Sequence, residues 1–234
     1  GGNTARGTRP VFSFCMCPGG QIVCTSVDPE ELCINGMSFS RRHSKWANSA
    51  LVASVEPDDD FLQEYKFQAG AKGGHEAMGG LFFQRAIEKE AALRGGGGLR
   101  APVQRVTDFL DSIPSKQSLD FPTSSYRLGV KPASLHDIYP AHITKSISSA
   151  LLEFDRRLPG FVTPHALLHG VETRTSSPLR VIRDKDTLQC IGIQGLYPAG
   201  EGAGYAGGIV SAAVDGEKVA TMMLEELASL GMME

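Results

Sequence analysis

Residues 195–210 read GLYPAGEGAGYAGGIV, six glycines around one carboxylate, Glu201. A glycine-rich turn exposes backbone N–H groups, and the N-terminus of a following helix adds partial positive charge; together they hold electron-rich ligands. A carboxylate in that place repels phosphate but accepts hydrogen bonds from hydroxyl groups, so Glu201 points to a polyol such as a sugar or a ribityl chain. Gly200, Gly202, Gly207 and Gly208 would let such a ligand touch the main chain, with Ile209 opening the helix. The overlapping G-x-G matches are weak by themselves, because a dinucleotide fingerprint should open a βαβ unit and be followed about twenty residues later by an acidic residue. Here the pattern comes late in the chain, so it does not read as the first βαβ of such a domain. The plainer alternative is a helix packed closely on a sheet, with glycines for contact only.

Other residues of chemical interest offer less. Cys15, Cys17, Cys24 and Cys33 fall in the first part of the chain, with Cys190 far away. Their uneven spacing does not make the two close pairs of a zinc or iron–sulfur site, so no structural metal and no disulfide are expected. Buried structural thiols are one reading, and a redox-active Cys15 or Cys17 is the other. His165 and His169 stand four apart, the spacing of a metal pair on a helix, but no H-E-x-x-H glutamate accompanies them. SRRHSKW at 40–46 is a basic loop, either solvated or anion-binding. Met222, Met223, Met232 and Met233 read as core and tail.

Positioning elements follow from apolar spacing. Residues 11–55 read as short strands and turns: VFSF, QIVCTSV, LCINGM and SALVASV. From Gly74 to Arg94 the period becomes helical, with Met78, Leu81, Phe82, Ala86 and Leu93 on one face and Glu88, Lys89 and Glu90 on the other. RGGGGL at 94–99 stops that helix. APVQRVTDFLDSI reads as a short amphipathic helix, and 115–137 as loop. A helix over 140–158 starts with Pro140 at its first position and carries Ile143, Ile147, Ala150, Leu151, Phe154 and Leu158. VETRT, LRVIR and LQCIGIQGLYPA read as strands. The last helix begins between Gly204 and Ile209 and places Ile209, Ala213, Gly216, Ala220, Met223, Leu224 and Leu227 on one face. This order of strands, helices, strands and helix predicts an α+β or mixed α/β fold.

Bulk properties narrow the function. The 234 residues are 41% hydrophobic and 21% charged, with a net charge of −3, which gives no electrostatic case for nucleic acid or an anionic membrane. No stretch has the apolar length of a membrane helix, and the start has no basic-then-apolar targeting segment. The odd number of cysteines fits a reducing, intracellular compartment. GGNTARGTRP at the start reads like an internal loop.

With those residues in view, the chain resembles a family. GLYPAGEGAGYAGGIVSAAVDG is similar to the C-terminal flavin-contacting segment of flavoproteins with two dinucleotide-binding domains. FSFCMCPGG at 12–20, GGGGLRAPVQRVTDFL at 95–110 and GVETRTSSPLRVIRD at 170–184 resemble, more narrowly, the FAD-dependent dehydrogenases (FAD/NAD(P)-binding oxidoreductases) of bacteria and plastid-bearing eukaryotes. The motifs occur in the family's order from Phe12 to Ala220. The resemblance implies an N-terminal half with a G-x-G-x-x-G fingerprint holding the ADP part of FAD. No such fingerprint precedes residue 195 here, so the chain resembles the family's C-terminal half, with a fragment, a truncated gene model and a splice product as the alternatives.

The resemblance implies FAD as cofactor and a fold made of a mixed α+β substrate or cap region, 1–169, and the C-terminal segment of a Rossmann-like FAD-binding domain, 170–234. Glu201 matches the acidic residue that bonds the ribityl chain. Gly207, Gly208 and Ile209 match the helix start that faces the flavin pyrimidine edge, with Gly200 and Gly202 beside it. Arg174, Thr175 and Ser176 fall where flavin or substrate contact is expected. The implied activity is hydride transfer between a small-molecule substrate and FAD, with a nicotinamide or another electron partner, in the cytoplasm or plastid stroma. Two other readings stay open: a non-catalytic interaction or structural module that has lost FAD, and a thiol-redox protein using Cys15 and Cys17.

Overall fold

The computed structural model describes residues 9–231, without the side chain of Cys15. It is a mixed α/β structure that divides into two compact units, Gly1–Thr173 and Arg174–Glu234.

The first unit starts with four strands: β1 (Val11–Pro18), β2 (Gly20–Cys24), β3 (Ile34–Ser38) and β4 (Ala47–Ala53). β1 pairs antiparallel with β4, from Val11 opposite Ala53 to Pro18 opposite Ala47, with an irregularity between Phe14 and Cys17. β2 pairs antiparallel with β3, Gly20 opposite Ser38 and Cys24 opposite Ile34. All four lie where alternation and turn residues predict strands.

Next come α1 (Gln63–Ala71) and α2 (Gly79–Gly95). α2 stops as predicted: Gly96 turns left-handed at φ 80°, and Gly97 N–H reaches back to the Ala92 carbonyl at 3.0 Å. The inward face of α2 differs from the predicted one. Phe83, Ile87, Ala91 and Ala92 are buried, whereas Leu93 is 70% exposed. Glu88, read as part of the outer face, is fully buried. Its carboxylate accepts from Gln84 at 3.1 Å and from the Thr173 hydroxyl at 2.5 Å. Apolar residues occur on more than one side of this helix, so periodicity alone did not single out the buried stripe.

APVQRVTDFLDSI is not one amphipathic helix. It forms the strand β5 (Ala101–Arg105) and the short helix α3 (Val106–Leu110). β5 is the middle of a three-stranded sheet, parallel to β6 (Val130–Pro132) and antiparallel to β7 (Leu167–His169). Ala101 to Gln104 are buried, and a strand covered on both faces loses the alternation that marks a half-exposed one. Pro102 lacks an N–H, but its carbonyl accepts Gly170 N–H at 2.9 Å.

α4 (Ala141–Arg157) follows. Pro140 is its N-cap and not its first helical residue: with ψ at 143° its carbonyl accepts from Ile143 and Thr144 N–H at 2.9 and 3.2 Å. Ile143 and Leu151 face the core as predicted, while Leu158 lies beyond the helix and is 59% exposed. The core gathers Leu32, Ile34, Leu62, Phe83, Ile87, Val106, Phe109, Tyr126, Leu135, Ile143, Leu151 and Val171.

The second unit holds one helix, α5 (Ile209–Ser229), preceded by turns. VETRT, LRVIR and LQCIGIQGLYPA do not form strands; one isolated bridge, Arg183 opposite Cys190, is all the described pairing there. A strand needs a neighbour to fill its backbone donors and acceptors, and these segments satisfy theirs through turns and side chains. α5 begins at Ile209, within the expected window. Val219 is its buried apolar residue, while Ile209, Leu224 and Leu227 of the predicted apolar face are 87%, 52% and 36% exposed.

Candidate functional site

In the second unit the glycine loop is pinned to α5 by one ion pair. The Arg183 guanidinium donates to both carboxylate oxygens of Asp215, at 3.0 Å to Oδ2 and 2.6 Å to Oδ1. Both side chains are largely buried, at 8% and 13% exposed. Arg183 also donates to the Pro198 carbonyl at 2.7 Å, and Asp215 Oδ2 accepts Gly200 N–H at 2.9 Å. The Tyr205 ring lies 3.6 Å from the guanidinium carbon, and its hydroxyl donates to the Val181 carbonyl at 2.9 Å. The hydrogen bond from Arg183 holds the Asp215 carboxyl below its usual range. Three turns along α5, Glu226 accepts from Gln189 Nε2 at 2.6 Å and from the Tyr197 hydroxyl.

The glycines of this loop divide into two kinds. Gly200 and Gly204 have φ of 68° and 85°, and a Cβ on Gly204 would sit 2.6 Å from the Leu179 carbonyl oxygen. Their identity is fixed by the turn. Gly202 and Gly207 have no positive φ, and a Cβ on either would meet nothing within 4 Å. Nothing in the fold of this unit requires glycine there. Glu201, immediately before Gly202, is exposed, with its backbone carbonyl accepting Gly204 N–H at 2.9 Å.

α5 opens at Gly208, whose extended backbone precedes the first turn. Gly208 N–H lies 3.2 Å from the Ser211 hydroxyl, and the Gly208 carbonyl accepts Ala212 N–H at 2.9 Å. The N–H groups of the first turn have no carbonyl within the helix to bond, and the residues that carry them, Ile209 and Val210, are 87% and 75% exposed. The sequence-predicted Gly200, Glu201, Gly202, Gly207, Gly208 and Ile209 thus share one loop and helix start. Arg174 stands exposed at the beginning of the unit.

The first unit has a partly open cavity of about 390 Å³. Its wall is mostly apolar, from Ile22, Ile34, Leu51, Phe109, Ile147, Leu151 and their neighbours, and it includes Trp46, Ser124, Tyr139, His169 and Glu172. The Ser124 hydroxyl and His169 Nε2 are 2.7 Å apart. Burial lowers the His169 pKa to about 4, so the ring is neutral near pH 7. Burial also raises the Glu172 carboxyl and, with Cys33 and Glu172 nearby, the Tyr139 phenol.

His165 and His169 do not form a helical pair: His169 lies on β7 and His165 on the turn before it. Among the described residues no group of three or more His, Cys, Asp or Glu is gathered for a metal. Cys24, Cys33 and Cys190 carry free thiols, Cys17 is half-buried opposite Asn48, and the Cys15 side chain lies outside the described residues. No described helix is long and apolar enough to cross a membrane.

A family model described as FAD-dependent protein, C-terminal domain-like, matches residues 3–175. The chain belongs to this family. The match covers the first unit and ends just inside the second. An uncharacterized protein of Clostridium beijerinckii is 42% identical over 219 residues, covering 93% of this chain and 38% of the relative. The chain therefore spans well under half the length of that relative. The glycine loop at 200–208 lies outside the matched residues.

Arg183, Asp215 and Tyr205, which shape the loop, were not legible as a group. They are separated by up to 32 residues, and an Arg–Asp pair has no local signature. Ser124 and His169, 45 residues apart, were equally silent.

Proposed function

We propose that this chain is the C-terminal part of an FAD-dependent oxidoreductase in which the loop 200–209 forms the far wall of the flavin site. The reading is carried by Gly202 and Gly207, two glycines that neither backbone conformation nor neighbouring atoms require. They follow Glu201 on a loop held in place by Arg183 and Asp215. FAD, when bound, accepts or returns a hydride. Glu201 would accept hydrogen bonds from ribityl hydroxyls, and Gly200 and Gly202 would admit the chain of the cofactor. Gly207, Gly208 and Ile209 would bring the helix start to the flavin's electron-rich edge, where partial positive charge stabilises added negative charge. Arg174 is assigned to contact with flavin or substrate. Residues 1–169 form the substrate or cap region in this reading. A small-molecule substrate and a nicotinamide or other electron partner complete it.

Flavin fluorescence titration tests this. A protein extended to the length of the Clostridium relative should bind FAD, and Glu201→Ala should weaken it by about tenfold to a hundredfold, the equivalent of about 1.5–3 kcal/mol for a hydrogen bond to a charged acceptor. Glu201→Gln should lose less, since the amide oxygen still accepts. The 234-residue chain alone should bind FAD weakly, because it has no fingerprint for the pyrophosphate before residue 195. Equal affinity of wild type and Glu201→Ala would remove the ribityl assignment.

A further inference from the structure

We propose that the cavity of the first unit is a binding site for an uncharged, largely apolar small molecule that donates a hydroxyl to Ser124, whose own hydroxyl is held by His169. Only the first unit is involved, so the proposal goes beyond flavin binding and does not depend on it.

Size and wall are those of a ligand pocket. About 390 Å³ lies within the roughly 300–1,000 Å³ of small-molecule sites, which are apolar with a few convergent polar groups. Charge selects against anions. The wall contains no lysine or arginine, while its one carboxylate is Glu172. A carboxylate or phosphate entering here would be desolvated without a counter-ion, which costs several kcal/mol.

The polar anchor has a defined vacant capacity. A serine hydroxyl offers one donor and two acceptor positions. Ser124 Oγ accepts Tyr126 N–H at 3.0 Å and lies 2.7 Å from His169 Nε2. With the hydrogen of the neutral ring on Nδ1, Nε2 accepts from Ser124. One lone pair on Oγ is then left, open to a donor. An alcohol supplies one, whereas an ether or ester does not. Trp46, the only tryptophan in the chain, lies in the cavity wall and reports occupancy by its emission.

The test titrates the 234-residue protein, without FAD, with 4-tert-butylcyclohexanol, its methyl ether and 4-tert-butylcyclohexanecarboxylate, following Trp46 fluorescence. The alcohol should give a saturable change, with the ether and the carboxylate at least tenfold weaker. Ser124→Ala should bring the alcohol down to the affinity of the ether while leaving the ether unchanged. Ala50→Leu, which adds bulk to the cavity wall, should abolish the response to all three. The proposal is overturned by no saturable response to the alcohol, by carboxylate binding as tight as that of the alcohol, or by unchanged alcohol preference in Ser124→Ala. Should circular dichroism show Ser124→Ala unfolded, Ala50→Leu decides, and full alcohol affinity in that variant overturns the assignment to this cavity. Flavin binding is measured separately, so either reading can fail without the other.

Discussion

Arg183 holds Asp215 through two hydrogen bonds, 3.0 and 2.6 Å long, with both side chains mostly out of solvent. Thirty-two residues separate them in sequence, and the space between is the glycine loop. The same two side chains also bind the loop backbone, Arg183 at the Pro198 carbonyl and Asp215 at Gly200 N–H. The pair therefore acts as the fastening of the candidate flavin loop.

Breaking this fastening should loosen the loop before anything else. Arg183→Leu leaves a largely buried carboxylate and an unpartnered Pro198 carbonyl, and should cost about 3 kcal/mol of local stability. Hydrogen exchange should rise across 196–208 in that variant, with β5 and α2 unchanged. Asp215→Asn keeps an acceptor for Gly200 and should cost less. Because Asp215 has its pKa lowered in the fold, its contribution is full above the unfolded carboxylate pKa near 4 and is lost as pH falls through the folded value.

The two kinds of glycine should separate in the same assay. Gly204→Ala forces a Cβ onto the Leu179 carbonyl at positive φ and should destabilise by about 1–3 kcal/mol, read by urea denaturation. Gly202→Ala and Gly207→Ala meet open space and should stay within about 0.5 kcal/mol of wild type. In the extended protein both should nevertheless weaken FAD, since each methyl group occupies the side from which the cofactor approaches. Unchanged affinity in both would leave the loop without a role in binding.

His169 predicts an acid-side loss of stability. Its folded pKa, about 4, lies below the roughly 6.5 of an unfolded histidine. The unfolded chain therefore binds the proton first as pH falls. The contribution is complete above pH 6.5 and declines between 6.5 and 4, by a total on the order of 3 kcal/mol. Urea midpoints of wild type and His169→Gln, compared across that window, should converge toward low pH.

Core substitutions should follow burial and not the helical-wheel expectation. Phe109, 1% exposed and stacked on His136 with ring centroids 4.4 Å apart, should cost about 3–5 kcal/mol as Phe109→Ala. Leu93→Ala, at a 70% exposed position, should change stability by less than about 0.5 kcal/mol. Thermal or urea unfolding of the two variants separates them directly.

The amino-acid sequence by itself determined the features that local chemistry controls. The glycine run after Arg94 ends α2, because left-handed backbone and the loss of helix propensity act within a few residues. The start of α5 at Ile209, the strands of residues 11–53 and the family were legible for the same reason: each rests on a contiguous string. What tertiary structure decided depends on partners far along the chain. Ala101 to Arg105 became a central strand because β6 and β7 flank it, while the strand-like segments after Thr173 found a single bridge and remained turns. Glu88 went inside because Gln84 and Thr173 satisfy it there. Ser124 met His169, and Arg183 met Asp215, only through folding, since hydrogen bonds and ion pairs form at a few ångströms of space whatever their separation in sequence.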